Sequence, residues 1–275
     1  MPRRTSTPSA RGRAPERESA AFVADLLANA PEGGLAAPAS FLDSAAALGV
    51  AFEPGEVERL GRYLALLLHA NGAMNLTAIR QPEAAWERHV LDALSLLAPL
   101  ADLPAGSRVI DVGTGGGVPG VPLAIVRPDL RFTLLDATAK KAAFVRAALG
   151  MLGVERATVV TARAEAAARQ PAHRDAYAAA IARAVGPLAT VAELTAPFVR
   201  AGGLVLLVKG EKADEELAHA RGALHLLHCA HAGTLTTPTG RVVALEKLRA
   251  TPRAYPRADG EPKRRPLGSS AVGDG

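Results

Sequence analysis

Two hydrophobic periods divide the chain. From Glu56 to Ala70, Val57, Leu60, Tyr63, Leu64, Leu67 and Leu68 recur at spacings of three and four, which predicts a helix with one apolar face. Asn71–Gly72 reads as its stop. A shorter helix is expected from Ser40 to Leu48, and Pro82 opens another. In that last helix Trp86, Val90, Ala93, Leu94 and Leu97 share one face, while Arg88, His89, Asp92 and Ser95 lie on the other. From Ser107 onward the period changes. Short apolar runs predict strands at Arg108–Val112, Arg131–Asp136, Ala157–Thr161, Tyr177–Arg183, Gly203–Lys209, Cys229–Leu235 and Arg241–Leu248, with helices between the first six. Such alternation argues for a parallel sheet covered by helices on both faces. The turn Thr236–Gly240 is of hairpin length, so the final strand is expected to be antiparallel. The fold class is therefore α/β: a Rossmann-like, seven-stranded and mostly parallel sheet with helices on both faces and an N-terminal helical cap.

The ends read differently. Residues 1–37 are rich in Pro, Arg, Ser, Ala and Gly and are expected to be largely disordered, with a short helix near Ala21–Ala28. The segment 38–100 forms the cap, 101–248 the sheet domain and 249–275 a basic tail. Met1–Arg17 carries a net +4, and so does Arg249–Arg265, in a chain of only +5 overall. The remainder is slightly acidic. Basic ends on such a body suggest flexible arms for a polyanion.

Composition narrows the class. A length of 275 residues with 49% apolar content supports one large domain with additions. A lone cysteine, Cys229, excludes an internal disulfide and agrees with a reducing compartment. No apolar run approaches the roughly 18 residues needed to span a membrane. His225, His228, Cys229 and His231 match no zinc spacing, so no metal is expected.

The chemistry concentrates at Ser107–Gly120, SRVIDVGTGGGVPG, where an apolar strand ends in Asp111 and runs into a glycine-rich turn before a helix. Glycine permits positive φ and close approach of a nucleotide to the backbone. Asp136 ends the next strand and can accept hydrogen bonds from a ribose diol. Pro119 and Pro122 remove N–H donors that a pyrophosphate would use, and Asp111 suits an ammonium or sulfonium. Both points favour S-adenosylmethionine over NAD.

Ligands in open parallel sheets bind at the carboxyl ends of the strands. That rule selects Gly113, Asp136, Ala164 with Glu165, Arg183 and Lys209. The Ala164 amide is expected near the adenine ring and Glu165 at its amine. Arg183 and Lys209 are expected as cations at the cleft mouth, holding RNA phosphate or a base carbonyl.

Together, VIDVGTGGGVPGVPLAIVRPDLRFTLLDA, the preceding NLTAIRQPEAAWERHVLDALSLL, and AIARAVGPLA and LVKG further on resemble the glucose-inhibited division protein B family. These are bacterial 16S ribosomal RNA (guanine-N7)-methyltransferases. The resemblance covers Phe41 to Leu248, and TPRAYPRADGEPKRRPL looks like the family's tail. It implies a helical N-terminal cap on a Rossmann-like class I methyltransferase fold, S-adenosyl-L-methionine as methyl donor and a small-subunit RNA guanine as acceptor. It also implies a cytoplasmic setting without membrane association, and a monomer. By motif it carries cofactor roles to Gly113, Val118, Ala164, Glu165 and Arg183, with Asp136 as the ribose acid. Arg183, Lys209, Arg88 and His89 are expected to position RNA. Val118 stands where leucine or phenylalanine is common, Ala93 where serine is common, and the first forty residues are extra. Guanine N7 has a free lone pair, so no general base is required. Two other readings stay open at this point: a non-catalytic RNA-binding or ribosome-assembly protein, and an NAD-dependent oxidoreductase.

Overall fold

The computed structural model describes residues 10–183 and 186–268. Helices α1 (Ala10–Ala28), α2 (Ala39–Ala47) and α3 (Glu56–Met74) lead into α4 (Pro82–Ala85), a π-helical stretch Trp86–Leu91 and α5 (Asp92–Leu94). The alternating part follows: β1 (Arg108–Val112), α6 (Gly120–Val126), β2 (Arg131–Asp136), α7 (Ala139–Met151), β3 (Ala157–Thr161), α8 (Ala164–Ala167), β4 (Tyr177–Arg183) and α9 (Leu188–Thr195). It closes with β5 (Val199–Lys209), α10 (Ala213–Leu226), β6 (Cys229–Thr237), β7 (Gly240–Lys247) and α11 (Glu261–Arg264).

The seven strands form one sheet in the order β3-β2-β1-β4-β5-β7-β6. The first five run parallel, and β7 lies antiparallel between β5 and β6. The strand order reverses between β1 and β4, which places a ligand crevice beyond Val112 and Arg183. Strand β4 is alanine-rich and buried, because small side chains let helices approach both of its faces. One apolar layer joins the cap to α6 and α7; the other lies under α9 and α10 and ends at Leu267.

Four expectations differ from the structure. The segment 1–37 is helical over Ala10–Ala28 rather than disordered. Ser19, Val23 and Leu27 recur every four residues and are buried, a stripe masked by the surrounding Ala and charged residues. Residues 1–9, and with them much of the basic N-terminal run, lie outside the described residues. Second, α3 runs through Asn71–Gly72 to Asn75, whose left-handed φ of 50° ends it. Asn71 serves the next loop instead, its Oδ1 accepting from Thr77 N at 2.9 Å. Third, the helix after Pro82 widens to π geometry over Trp86–Leu91, a local irregularity often found at functional sites.

The fourth difference is the tail. Residues 249–268 are no flexible arm but a strap packed on the sheet domain. Arg174 donates to the carbonyls of Thr251, Pro252 and Tyr255 at 2.7, 3.1 and 3.0 Å. Arg257 grips the fully buried Glu193 at 2.6 Å, and Leu267 enters the core. The basic composition conceals this because much of the strap is held through its own carbonyls, which carry no sequence signature.

Candidate functional site

The glycine turn after β1 separates two cavities. The larger, about 450 Å³, is lined by Gly113, Asp136, Ala164, Glu165, Thr190 and Lys263, among others. The smaller, about 120 Å³, lies toward the cap between Thr77, His89, Thr114, Gly116, Val118 and Arg183.

The turn itself is fixed by its own donors. Asp111 Oδ2 accepts from Thr114 Oγ1 at 2.6 Å and from Gly120 N at 3.0 Å. Gly120 is obligatory for packing, since a Cβ there would stand 2.1 Å from Leu134 Cδ2. Asp136 Oδ2 accepts from Gly115 N at 3.0 Å and its Oδ1 from Thr138 N at 2.7 Å. Each oxygen keeps a second lone pair, so the carboxylate can still receive a diol. From the cap, Tyr63 Oη donates to Gly116 O at 2.8 Å. Burial pushes the Tyr63 phenol up, which keeps it a donor.

The first turn of α6 has no donor left for a phosphate. Pro119 and Pro122 have no N–H, Gly120 N is spent on Asp111, and Val121 N bonds Gly117 O at 2.7 Å. Asp111 Oδ1, by contrast, is buried without a partner. Burial pushes this carboxyl up to about 6, although Thr114 and Gly120 pull the other way. A buried, orphaned acceptor suits the ammonium of an amino-acid moiety. Two residues on, Gly113 borders the larger cavity with open space: at φ +78°, a Cβ would meet no protein atom within 4 Å. These features fit S-adenosylmethionine and not a dinucleotide pyrophosphate.

Beside the smaller cavity, the expected polar face of the cap becomes a buried cluster. His89 and Asp92 are buried, while Arg88 is exposed and contributes its carbonyl. Arg183 donates to that carbonyl, to His89 Nδ1 at 3.2 Å, and faces Asp92 Oδ2 at 3.6 Å. Since a guanidinium only donates, His89 Nδ1 accepts and its Nε2–H is directed at Thr77 Oγ1, 2.9 Å away. Burial first, then Arg183, push His89 down to about 4. The imidazole is neutral and already engaged.

Two expected site residues are placed differently. Lys209 lines neither cavity; its Nζ donates to Gly186 O at 2.6 Å and pairs with Glu216 at 2.7 Å. It pins the turn between β4 and α9, and is no solvated cation at the mouth. Glu165 lines the larger cavity but already accepts from Gly260 N at 2.7 Å and Arg163 Nη2 at 2.9 Å. Burial raises its pKa, yet those donors outweigh burial and hold it below the usual range. Val118 and Arg183 line the smaller cavity, apart from Gly113 and Asp136 in the larger. Sequence reasoning passed over Tyr63, Thr77, Thr190 and Lys263. Tyr63 looked like one more residue of an apolar face, and Lys263 like one more charge in a basic run.

Residues 56–239 match the model of the GidB family, described as rRNA small subunit methyltransferase G. The chain is 47% identical over 222 residues to a ribosomal RNA small subunit methyltransferase G of Sorangium cellulosum, covering 81% of this chain and 92% of that protein. A protein of the same name from a Roseiflexus species is 41% identical over 231 residues, covering 82% and 98%. The chain belongs to this family. With the GidB family it takes its place among the S-adenosylmethionine-dependent methyltransferases. A solved structure described as an S-adenosyl-L-methionine-dependent methyltransferase from Methanococcus maripaludis shares the fold, with a TM-score of 0.50 at 12% identity, covering 68% of this chain and 93% of that one.

In this GidB-family protein, Asp136→Ala should weaken S-adenosylmethionine binding by about 2–4 kcal/mol, the worth of a charge-assisted bond pair. Titration calorimetry on the folded variant checks it, and unchanged affinity would remove Asp136 from the site.

Proposed function

We propose that the protein methylates N7 of a guanine in 16S ribosomal RNA, acting as a cytoplasmic monomer. The observation that carries this reading is the smaller cavity. Its imidazole is neutral and bonded on both nitrogens, so His89 is not poised as a general base. An acceptor with a free lone pair needs none. The names of the relatives point to small-subunit RNA as the substrate.

Bound S-adenosylmethionine supplies an electrophilic methyl group on a sulfonium. The residues of the chain bind, orient and exclude water. Asp111, Gly113 and Asp136 would hold the amino-acid and ribose parts, with Ala164 and Glu165 at the adenine. Arg183, fixed by Arg88 O, His89 and Asp92, lines the smaller cavity and would orient the base through its carbonyl oxygen. The test is transfer of label from methyl-tritiated S-adenosylmethionine to 16S RNA or the 30S subunit, mapped by mass spectrometry. A non-catalytic RNA-binding protein would transfer nothing, and an oxidoreductase would bind NAD instead. Sedimentation checks the monomer.

The Asp92–Arg183 pair makes the reaction depend on pH. Burial pushes Asp92 up to about 6, Arg183 and Arg88 oppose this, and Glu87 adds to it. Above that value the ionised carboxylate helps to hold Arg183; below it the charge is lost. The folded pKa exceeds the unfolded one, so this group stabilises the fold at low pH and loses that contribution as pH rises through about 6. Orientation of Arg183 is thus obtained at some cost in stability. At saturating cofactor, which offsets any change in cofactor affinity from Asp111, KM for RNA should rise as pH falls from roughly 7 to 5. Asp92→Asn should flatten that limb. A variant retaining the wild-type profile would exclude Asp92 as its source.

A further inference from the structure

The strap runs beside the larger cavity and contributes Lys263 to its lining, and other residues that line the cavity hold the strap. Thr190 Oγ1 donates to Pro262 O at 3.1 Å. Glu165 Oε1 accepts from Gly260 N at 2.7 Å. Arg163 stands 3.7 Å from Asp259. All three line the cavity, as does Lys263 from the strap itself. On either side of this span the strap is fixed by contacts outside the cavity. Arg257 is clamped on Glu193, and Leu267 is buried against the sheet domain. Between those anchors the span is a short turn with bonds from Glu261 N to Ala258 O and from Arg264 N to Gly260 O, at 2.9 and 3.2 Å.

We propose that residues 258–265 of the strap are a wall of the cofactor site, and that cofactor binding and docking of this span are thermodynamically linked. The inference rests on reading the larger cavity as the S-adenosylmethionine site. A ligand touching Glu165, Thr190 and Lys263 touches both the wall and the groups that hold it. Linkage is reciprocal, so a ligand that favours the docked span is itself bound more tightly when the span is docked. Lys263 is a donor-only cation and would take an acceptor atom of the adenosyl group. This differs from the expectation from composition, under which the basic tail is a flexible arm for a polyanion.

Hydrogen exchange on the full chain, with and without saturating S-adenosylhomocysteine, tests it. Protection should rise over 258–265 together with the glycine turn 113–118. Thr190→Val should speed exchange of the span in the free protein and weaken the probe about three- to tenfold, the worth of one hydrogen bond. Thr190→Ser should restore both. Protection of the turn alone, with Thr190→Val binding like wild type, overturns the proposal and leaves the cofactor site standing. Protection of neither segment removes the cofactor reading of this cavity, and the proposal falls with it.

Discussion

Gly113→Val should leave a folded protein that no longer binds S-adenosylmethionine measurably. Gly113 lines the larger cavity at the end of β1, and an added Cβ would find no protein atom within 4 Å. The valine side chain would therefore project into space that serves the ligand, rather than into the core. Its cost to the fold is confined to the φ of +78°, about 1–2 kcal/mol for a residue with a Cβ. Its cost to binding is steric, because the backbone can no longer meet the ligand. Affinity should fall by more than about a hundredfold, roughly 2.7 kcal/mol or more. A thermal melt separates the two effects, and calorimetry reads the second. A variant that melts near wild type and still binds normally would place the ligand away from Gly113.

The contrast between Gly113 and Gly120 shows how much of the site the sequence could convey. Both belong to one glycine-rich run, and only the structure separates their duties. One borders the larger cavity, with open space where a Cβ would stand; the other lets α6 approach Leu134 and Asp111. The sheet and its antiparallel seventh strand were legible because apolar runs of strand length alternate with helical ones. The place of Asp136 was legible because strand ends in an open parallel sheet face the crevice, and it does line the larger cavity. The roles of His89 and Lys209 were not. His89 reads in the sequence as part of a polar helix face, and burial on the π-helical stretch instead holds it neutral, with both ring nitrogens engaged by Arg183 and Thr77. Lys209 ended a strand as expected, but Glu216 and Gly186 O lay ready to take it. Such contacts join residues distant in sequence and leave no periodic trace.

The strap was the least legible element, and it supports the largest expected loss of stability. Arg257→Ala should destabilise the protein by about 3–5 kcal/mol, the cost of orphaning one partner of a buried ion pair. Glu193 on α9 is fully buried, and its carboxylate takes three donors from one residue: Arg257 N at 2.8 Å, Nε at 2.9 Å and Nη2 at 2.6 Å. Truncation leaves a charge in the core with only the backbone N–H of these three. It also removes the bond from Arg257 to Arg265 O at 2.7 Å, which tethers the far end of the span. In a chain of this size the midpoint of thermal unfolding should drop by roughly 6–20 °C. Arg241→Ala is the control: its partner Asp214 is 68% exposed and 3.7 Å away, so about 1 kcal/mol or less is at stake. Equal melting temperatures for the two variants would show that the strap is not anchored through Glu193. A large drop confined to Arg257→Ala would show that a buried acid, Glu193, is a principal anchor of a tail written in basic residues.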